Sequence, residues 1–186
     1  MESPLKTKSI RTFGGHFALS WLEEVMALPL RKQSNLDYEQ ARHIVEECYD
    51  SILAYCTRHA PAGYEAADLA QETFLRFVRT RSYQDRGRPI AYLMTIARNV
   101  CIDAGRKNRL QTVPLDFEPA DPEDEFCADV RKALESLPDE PRELLEMRYG
   151  FGLQVNEIAR MFDESRYATR RKIKKALELL HEELKG

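Results

Sequence analysis

Six basic side chains and no acidic one lie within positions 166–175 of this 186-residue chain. They are Arg166, Arg170, Arg171, Lys172, Lys174 and Lys175. An apolar repeat of Ile173, Leu177, Leu180 and Leu184 predicts a helix over 166–184, with the basic residues crowded into its N-terminal half. Lysine and arginine contact phosphates, and arginine also hydrogen-bonds guanine, so this pattern is typical of a nucleic-acid-binding helix. A basic face that meets only solvent has the same pattern.

The segment before this helix favours the nucleic-acid interpretation. A shorter helix is predicted over 155–162, with Ile158, Ala159 and Phe162 facing inward. Three residues, Asp163, Glu164 and Ser165, separate the two helices, and Ser165 is a good N-cap for the second. Two helices joined by so short a turn are typical of a helix-turn-helix, whose second helix enters the major groove of DNA with its N-terminal end first.

A second group of polar residues lies on a helix predicted over 64–81. Asp68, Gln71, Glu72 and Leu75 follow one another at steps of three, one and three, and therefore share one face of that helix. A face with two carboxylates, an amide and an apolar side chain can bind a partner helix. From the residues alone, an ordinary solvent-exposed face is the other interpretation and the commoner one.

A third group lies on a helix predicted over 88–109. Its polar members lie away from the apolar stripe and are Arg98, Asn99, Asp103, Arg106 and Lys107. Tyr83 precedes this helix and Tyr92 lies within it, and both rings can stack on unpaired bases. Packing of the two tyrosines in the protein core is the alternative.

Other chemistries find little support in the residue pattern. His43, Cys48, Cys56 and His59 lie on one predicted helix, and Cys56-x-x-His59 is a candidate ligand pair. Zinc takes four converging ligands, but Cys48 and Cys56 are about 12 Å apart along a helix, so one ion cannot reach all four. The sequence has no paired-carboxylate, nucleophile–base or glycine-rich phosphate-loop signature. We therefore predict a chain that is not an enzyme, with no catalytic residue, no metal and no cofactor.

Three predicted helices position the second and third groups. The first begins at 37, with Asp37 as its N-cap, and Pro61 and Gly63 end it. The apolar stripes recur at three- and four-residue steps: Ala41, Ile44, Cys48, Ile52 and Tyr55 in the first helix, Leu69, Phe74, Phe77 and Val78 in the second, and Ile90, Leu93, Ile96, Ala97, Val100 and Ala104 in the third. Together they predict one small helical bundle.

Residues 111–127 lose the helical period. They contain three prolines, and six acidic residues with no basic one lie between 116 and 125, so we predict a flexible linker. After it, Val130, Leu134 and Leu137 form another stripe. A further helix is predicted from Asp139, its N-cap, to about 149, where Gly150 and Gly152 end it.

No strand period occurs, so the predicted fold class is all-α: two small helical domains joined by an acidic flexible linker, the C-terminal one a helix-turn-helix. The predicted boundaries are 1–36 for an N-terminal extension of unknown role, 37–110 for the first domain, 111–127 for the linker and 128–186 for the second domain. Two small domains each have a thin core and are expected to be marginally stable.

Composition favours a cytoplasmic protein. The formal net charge of −3 argues mildly against DNA binding, but the charges are segregated along the chain. The spacing of the four cysteines gives no disulfide framework, which indicates a reducing compartment. No apolar stretch approaches the length of a membrane span, and polar residues interrupt any signal-peptide core near the N-terminus.

The three groups, in this order, resemble parts of the small extracytoplasmic-function sigma factors of bacterial RNA polymerase. The run Asp68-Leu-Ala-Gln-Glu-Thr-Phe74 looks like the core-binding helix of that family. The run Ile96-Ala-Arg-Asn99, followed by Asp103 and Arg106-Lys107, looks like its promoter-melting helix. Five short runs of this chain look like the approach to the C-terminal helix-turn-helix of that family: Leu137-Pro138, Arg142-Glu143, Arg148-Tyr149, Gly152-Leu153 and Glu157-Ile158-Ala159. The resemblance covers residues 37–184.

The resemblance implies an alternative sigma factor, which binds core RNA polymerase and directs transcription from specific promoters. The implied contacts with the polymerase clamp helices are Asp68, Gln71, Glu72, Phe74, Leu75 and Val78. The implied contacts with the −10 promoter element are Tyr83, Arg98, Asn99, Asp103, Arg106 and Lys107, and the loop 82–88 takes the place where the family holds a flipped-out base. The implied contacts with the −35 element are Arg166, Tyr167, Thr169, Arg170, Arg171, Lys174 and Lys175.

The implied partners are core RNA polymerase, through its clamp helices and flap region, promoter DNA, and an anti-sigma factor. The resemblance implies no membrane insertion and no small-molecule substrate.

The C-terminal turn departs from the family pattern. Members usually have glycine at the position of Asp163, an aliphatic residue at Glu164, glycine at Tyr167, a β-branched apolar residue at Thr169, and serine or threonine at Gln154. A weakened helix-turn-helix favours a second hypothesis, a sigma-like decoy or adaptor that binds an anti-sigma factor without directing transcription. The six basic residues at 166–175 and the Arg98-Asn99 pair favour the sigma factor, because a decoy does not need them.

Overall fold

The structure is a computed structural model that describes residues 38–80, 83, 87–108 and 125–185. The regular elements of these residues are helices. Within these ranges there are seven α-helices and one π-turn, and there is no strand. In chain order they are α1 (Tyr38–His59), α2 (Ala66–Arg79), α3 (Pro89–Asn108), α4 (Glu125–Ser136), α5 (Asp139–Leu145), the π-turn Glu146–Gly150, α6 (Val155–Met161) and α7 (Arg166–Glu183). The predicted all-α fold class is confirmed.

The chain divides into two compact units, with the division after Leu115. The predicted N-terminal extension 1–36, the Asp37 cap and most of the predicted linker lie outside the described residues, so the domain boundaries stay predictions. Among the described residues, α4 begins at Glu125, within the segment 111–127 that was predicted to be a linker. Pro122 is the last proline of that segment, and acidic residues favour a helix N-terminus, so nothing after Pro122 opposes a helix.

In the N-terminal unit, α1, α2 and α3 pack pairwise against one another. Apolar residues at three- and four-residue steps place one apolar stripe on each helix, and the three stripes meet in the core. The residues predicted for these stripes are buried, apart from Ile90 and Ile96, which are half-buried. The core of this unit is therefore largely the one that the sequence pattern predicted.

The buried face of α2 contributes two phenylalanine rings to this core. The Phe74 ring stacks on Tyr49 of α1 with 5.9 Å between ring centroids, and the Phe77 ring meets Tyr83 edge-on at 4.9 Å. Burial of one such side chain contributes about 1.5–3 kcal/mol, and a well-oriented aromatic pair adds about 0.5–1.5 kcal/mol. These contacts fix one face of α2 in the core and leave the opposite face outward.

Three cysteines, Cys48, Cys56 and Cys101, are buried in the same unit as free thiols. Burial raises the pKa of the Cys48 thiol to about 11. A hydrogen bond with Cys101, together with burial, raises the pKa of Cys56 far above its ordinary value. Thr73 also contacts Cys56, and its hydroxyl donates to the Leu69 carbonyl oxygen at 2.8 Å. Such protonated, enclosed thiols behave as small apolar groups.

In the C-terminal unit, α7 packs against α4, α5 and α6. Leu137, Leu145 and Ala176 form a buried cluster, against which Leu134, Leu179 and Leu180 pack. Ile173 is buried as predicted, but Leu177 and Leu184 were predicted wrongly to face inward and are 39% and 45% exposed. The inward face of α7 instead runs through Thr169, Ile173 and Ala176, and Leu177 lies about 100° around the helix from Ala176.

A π-turn lengthens the end of α5. The Phe151 N–H donates to the Glu146 carbonyl oxygen at 2.9 Å, and the Leu153 N–H donates to Met147 at 2.9 Å. Gly152 follows with a φ of 65°, a conformation that glycine adopts without strain. The helix predicted up to 149 is therefore regular only to Leu145, because an apolar pattern does not distinguish an α-turn from a π-turn.

The buried thiols predict slow chemical labelling of the native chain. At about pH 8 a water-soluble thiol reagent should modify Cys48, Cys56 and Cys101 only as fast as the unit opens, because the thiolate is the reacting form and burial disfavours it. Since the unfolded chain ionises more readily, native stability should fall as the pH rises from 9.0 towards 11, the range of the Cys48 shift.

Peptide mass spectrometry after timed quenching gives the labelling rate at each cysteine, and the same chain in urea is the control. Complete labelling of any of the three within the mixing time, without denaturant, would contradict their burial.

Candidate nucleic-acid and partner-binding surfaces

The N-terminal half of α7 presents a basic surface to solvent. The Ser165 side chain caps the helix, since its Oγ accepts a hydrogen bond from the Ala168 N–H at 3.1 Å. Tyr167 is 78% exposed just after the cap. The exposed residues of this half, called here the α7 basic surface, are Arg166, Tyr167, Arg170, Arg171, Lys174 and Lys175. All of them were predicted to contact DNA.

Thr169, which was also predicted to contact the −35 element, lies elsewhere. Its side chain is 0% exposed, and its hydroxyl donates to the Ser165 carbonyl oxygen at 3.1 Å. A side chain without exposed surface cannot reach DNA, so this assignment is corrected: Thr169 anchors α7 in the core. Because the hydroxyl has a partner, the polar residue carries no penalty of an unsatisfied buried group.

The turn between α6 and α7 is complete without the glycine that the family usually has. Asp163 takes the left-handed conformation, with a φ of 54°, which aspartate adopts more readily than most residues. The Glu164 N–H donates to the Ala159 carbonyl oxygen at 2.8 Å, and the Glu164 carboxylate pairs with Lys172. The departures from the family pattern therefore leave a formed turn.

The start of α6 is also capped, although Gln154 stands where serine or threonine is usual. The Glu157 carboxylate accepts a hydrogen bond from the Gln154 N–H at 2.6 Å. This bond belongs to a capping box, in which the residue three positions into the helix supplies the acceptor. Glu157 thus stabilises the first turn of the helix that supports α7.

An open groove lies beside the α7 basic surface. Its lining residues are Arg148, Tyr149, Val155, Arg170, Ile173, Lys174 and Leu177. Tyr149 is 61% exposed, and Arg148 donates to the Leu153 carbonyl oxygen at 2.9 Å, which holds the end of the π-turn. The groove combines apolar walls with cationic side chains. Sequence analysis missed it because the pattern assigned Leu177 to the core.

The polar face of α2 is accessible, in agreement with its spacing. Asp68 is exposed, whereas Gln71, Glu72 and Leu75 are half-buried. These four residues are called the α2 face below.

Phe74 and Val78, which the family resemblance also assigned to polymerase contact, are 1% and 5% exposed. Their side chains pack inside the N-terminal unit and have almost no surface with which to touch a partner. The structure therefore corrects the assignment of these two residues, whose side chains hold α2 in the core.

Arg76 links the α2 face to α3. Its Nε donates to Glu72 Oε1 at 2.7 Å, and one terminal nitrogen donates to Asp103 Oδ2 at 3.1 Å. The hydrogen bond to Glu72 is the main cause that raises the pKa of Arg76, and the bond to Asp103 adds to it. Sequence analysis missed Arg76, although its four-residue spacing from Glu72 is a signal for an ion pair. Asp103 is 27 positions away, beyond any local pattern.

The polar side of α3 carries the residues predicted to face the −10 element. Asn99, Arg106 and Lys107 are exposed, and Arg98 and Asp103 are half-buried. The three exposed residues are called the α3 surface below. They offer two cations and an amide, which are groups that bind phosphates and base edges.

Tyr83 lies inside the N-terminal unit and not on the α3 surface. It is 6% exposed, and its ring centroid lies 4.9 Å from that of Phe77 and 5.1 Å from that of Tyr92. A ring enclosed in this way cannot stack on a base without leaving the cluster. Of the two tyrosines considered from the sequence, Tyr92 is half-buried and the more accessible.

The candidate metal ligands do not come together. Within the described ranges no three His, Cys, Asp or Glu side chains are placed to hold one metal ion. Cys56 contacts Cys101, and the His59 ring stacks on Tyr55 with 4.2 Å between centroids. In the same ranges, no helix combines the length and the apolar character needed to cross a membrane.

Two family models match the chain, one in each unit. Sigma-70 region 2 matches residues 44–111, and Sigma-70, region 4 matches residues 133–182. The first match includes the α2 face and the α3 surface, and the second includes the helix-turn-helix. The class that these two matches define is the sigma-70 type of transcription initiation factor.

Known sequences give the family within this class. The chain is 30% identical over 166 residues to the ECF RNA polymerase sigma factor SigD of Mycobacterium tuberculosis strain H37Rv, covering 80% of this chain and 78% of SigD. It is 28% identical over 139 residues to the ferric citrate uptake sigma factor FecI of Escherichia coli K12, covering 68% and 80%. The chain belongs to the extracytoplasmic-function (ECF) family of RNA polymerase sigma factors. Its function is to bind core RNA polymerase and promoter DNA and to direct promoter-specific transcription initiation.

Solved structures share the fold. The sigma factor RpoE of Bartonella quintana, crystallised with the anti-sigma factor NepR, superposes with a TM-score of 0.64 at 21% identity over 77% of this chain and 96% of that one. CnrH, solved with the cytosolic domain of CnrY, gives a TM-score of 0.57 at 18% identity over 93% and 98%. At these identities the likeness concerns the fold.

Thr169 and Arg170 are neighbours with opposite environments, so their substitutions should differ. Thr169→Val keeps the shape and removes one hydroxyl, while the Thr169 N–H still donates to Ser165 at 3.0 Å. We expect a stability change within about 1 kcal/mol and unchanged DNA affinity. Arg170→Gln should weaken DNA binding by about 1–3 kcal/mol if the side chain reads a base.

Thermal unfolding and fluorescence anisotropy with a promoter duplex measure both effects. An affinity loss in Thr169→Val as large as that in Arg170→Gln would show that Thr169 reaches DNA after all.

Proposed function

We propose that the two units divide the work of this sigma factor. The α2 face docks on the clamp helices of core polymerase, the α3 surface contacts and opens the −10 element, and the α7 basic surface reads the −35 element. One observation carries the proposal: each of these helices has its apolar side fixed in a core and an accessible polar side, and the charge of that side suits its partner.

The α2 face suits a protein partner better than DNA. It offers the carboxylates of Asp68 and Glu72, the amide of Gln71 and the partly exposed Leu75. Carboxylates repel phosphate, whereas a half-buried leucine beside hydrogen-bonding groups is typical of a small protein interface. The assignment of this face to polymerase also agrees with its place inside the region 2 match.

The α3 surface suits promoter DNA. Arg106 and Lys107 supply positive charge for the backbone, and the Asn99 amide can donate to and accept from a base edge. Because Tyr83 is enclosed, we propose that it supports α3 from within, and that Tyr92 is the aromatic candidate for contact with an unpaired base. Arg98 and Asp103 are half-buried and complete the predicted set.

The α7 basic surface suits the major groove. It carries five cations and Tyr167 on the N-terminal half of the second helix of a helix-turn-helix, the part of this motif that meets base edges. Binding through phosphates releases counterions, so affinity should fall steeply with salt concentration. A net negative chain can therefore bind DNA, since the first half of α7 carries basic residues without acidic ones.

An anti-sigma factor is the remaining partner that we propose. RpoE of Bartonella quintana and CnrH were both solved in complexes, the first with an anti-sigma factor and the second with the cytosolic domain of CnrY. A similar partner would hold this chain away from polymerase until a signal releases it. We also infer that the chain acts in the cytoplasm and has no catalytic residue, since the polymerase performs the chemistry.

The decoy hypothesis loses its main support. It was motivated by a helix-turn-helix that lacks the usual glycine and apolar anchor. Asp163 takes a left-handed conformation, the kind that glycine adopts without strain, and the buried Thr169 hydroxyl has a hydrogen-bond partner. The observation that favoured a weakened domain is thus explained, and a run-off transcription assay separates the two functions, because a decoy gives no transcript.

Glu72 gives the sharpest test of polymerase docking. Glu72→Gln and Gln71→Ala should each weaken binding to core polymerase about tenfold, because the first removes a negative charge and the second an amide from the proposed interface. Arg76→Gln is the control: it breaks the same ion pair from the other side and also the Arg76–Asp103 bond, so it sets an upper limit on the effect of losing the pair. Since the paired side chains are 40% and 41% exposed, the pair itself contributes at most about 1 kcal/mol.

Pull-down with core polymerase and competition with the wild-type chain in run-off transcription measure these effects. An equal loss in Arg76→Gln and Glu72→Gln would assign Glu72 to the internal stability of the chain and remove it from the interface.

Asn99 tests promoter opening separately from docking. Asn99→Ala should lower the yield of open promoter complexes about tenfold and leave polymerase binding unchanged, because one base-edge contact contributes about 1–3 kcal/mol. Permanganate reactivity of unpaired thymines at the −10 element is the measurement. His43→Ala is the control, since the His43 side chain is 70% exposed on α1, outside all three surfaces. Loss of polymerase binding in Asn99→Ala would move Asn99 to the docking interface.

A further inference from the structure

Lys172 differs in its surroundings from the other basic residues of α7. Its Nζ donates to Glu140 Oε1 at 2.5 Å and also to Glu164 Oε1. The hydrogen bond to Glu140, followed by that to Glu164, raises the pKa of Lys172. The side chain is partly covered, whereas Arg170, Arg171 and Lys174 on either side of it are exposed. The positive charge of Lys172 is therefore already paired with carboxylates of the protein itself.

The two carboxylates come from different elements. Glu140 lies in the first turn of α5, and Glu164 lies in the turn between α6 and α7. Lys172 joins both of them to α7, two helical turns after the Ser165 cap. One ammonium group therefore connects the helix-turn-helix to the helix behind it.

The contact coincides with the departures from the family pattern. The resemblance gives an aliphatic residue, which has no charge to pair, at the position of Glu164. Here the Glu164 carboxylate makes an ionic contact with Lys172 instead, and its side chain is only 22% exposed. The left-handed Asp163 and the capped Ser165 flank this position. The turn is thus held by a network of polar contacts.

We propose that Lys172 is a positioning residue, which fixes the turn and the first half of α7, and that it does not contact a DNA phosphate. The two carboxylates and one ammonium group give this cluster a net negative charge. The cluster therefore repels the DNA phosphates and limits where DNA lies on the α7 basic surface. The inference rests on the proposed role of α7 in DNA binding, and adds to it a division of the basic residues between recognition and support.

The first test needs no DNA. In the full chain, Lys172→Met, Glu164→Gln and Glu140→Gln should each increase the hydrogen-exchange rate of the amides of Ala168 and Thr169, which form the N-terminal turn of α7, about two- to fivefold. Lys174→Met is the matched control, because its ion-pair partner among the described residues, Glu178 at 3.6 Å, lies on α7 itself. Equal exchange rates in Lys172→Met and wild type would overturn the positioning role, whatever α7 binds.

The second test measures DNA binding by the chain assembled with core polymerase. The DNA is the duplex that the wild-type complex enriches most from a randomised library. Removal of an acidic charge near DNA strengthens binding if electrostatics alone acts. The positioning role predicts the reverse: Glu164→Gln and Glu140→Gln should weaken binding about two- to fivefold, while Glu178→Gln on the same helix should not weaken it.

Salt dependence distinguishes support from direct contact. Lys172→Met should lower affinity without changing the slope of log affinity against log salt, whereas Lys174→Met should reduce that slope by about one. Tighter binding by Glu164→Gln and Glu140→Gln, or a reduced slope in Lys172→Met, would overturn the inference. Failure of the wild-type complex to enrich any sequence would instead remove the proposed DNA-binding function, and the exchange experiment would still decide the role of Lys172.

Discussion

Burial of one apolar face on each functional helix is the constraint on which the rest of the structure depends. Phe74 and Phe77 fix α2 in the N-terminal core, and Ile173 and Ala176 do the same for α7 in the C-terminal core. A helix turns by a fixed angle at each residue, so fixing the buried side determines which side chains face outward. The accessible polar groups of α2, α3 and α7 follow from that geometry, and surfaces for a protein and for DNA arise from the same packing rule.

The fold and the outward faces were largely predictable because they depend on short-range periodicity. The stripes of α1 and α2 predicted their buried residues correctly, and Ser165 was recognised as a cap from its type and place. The errors concern contacts carried over from the family resemblance: Phe74 and Val78 belong to the apolar stripe that predicted their burial, and Thr169 is buried as well. The burial of the polar Thr169 depends on the neighbouring helices, which the pattern along one helix does not contain.

The ion pairs are the second class of features that the sequence did not reveal. Arg76 and Lys172 each connect residues that are remote in the chain, at separations of 27 and 32 positions. A count of basic residues treats all cations on α7 alike, although Lys172 already has two carboxylate partners. Charge within a binding helix therefore has two uses, attraction of a partner and orientation of the helix, and only the folded geometry separates them.

The π-turn Glu146–Gly150 has a consequence for how related chains are compared. Such a turn holds one residue more than an α-turn, and the widened ring absorbs it without breaking the helix. Removal of that residue would rewind the backbone and rotate every later position, from Leu153 to α7, by roughly 100° about the axis of α5. A gap-free alignment with a homologue that has a regular helix here would therefore pair the wrong side chains throughout the helix-turn-helix.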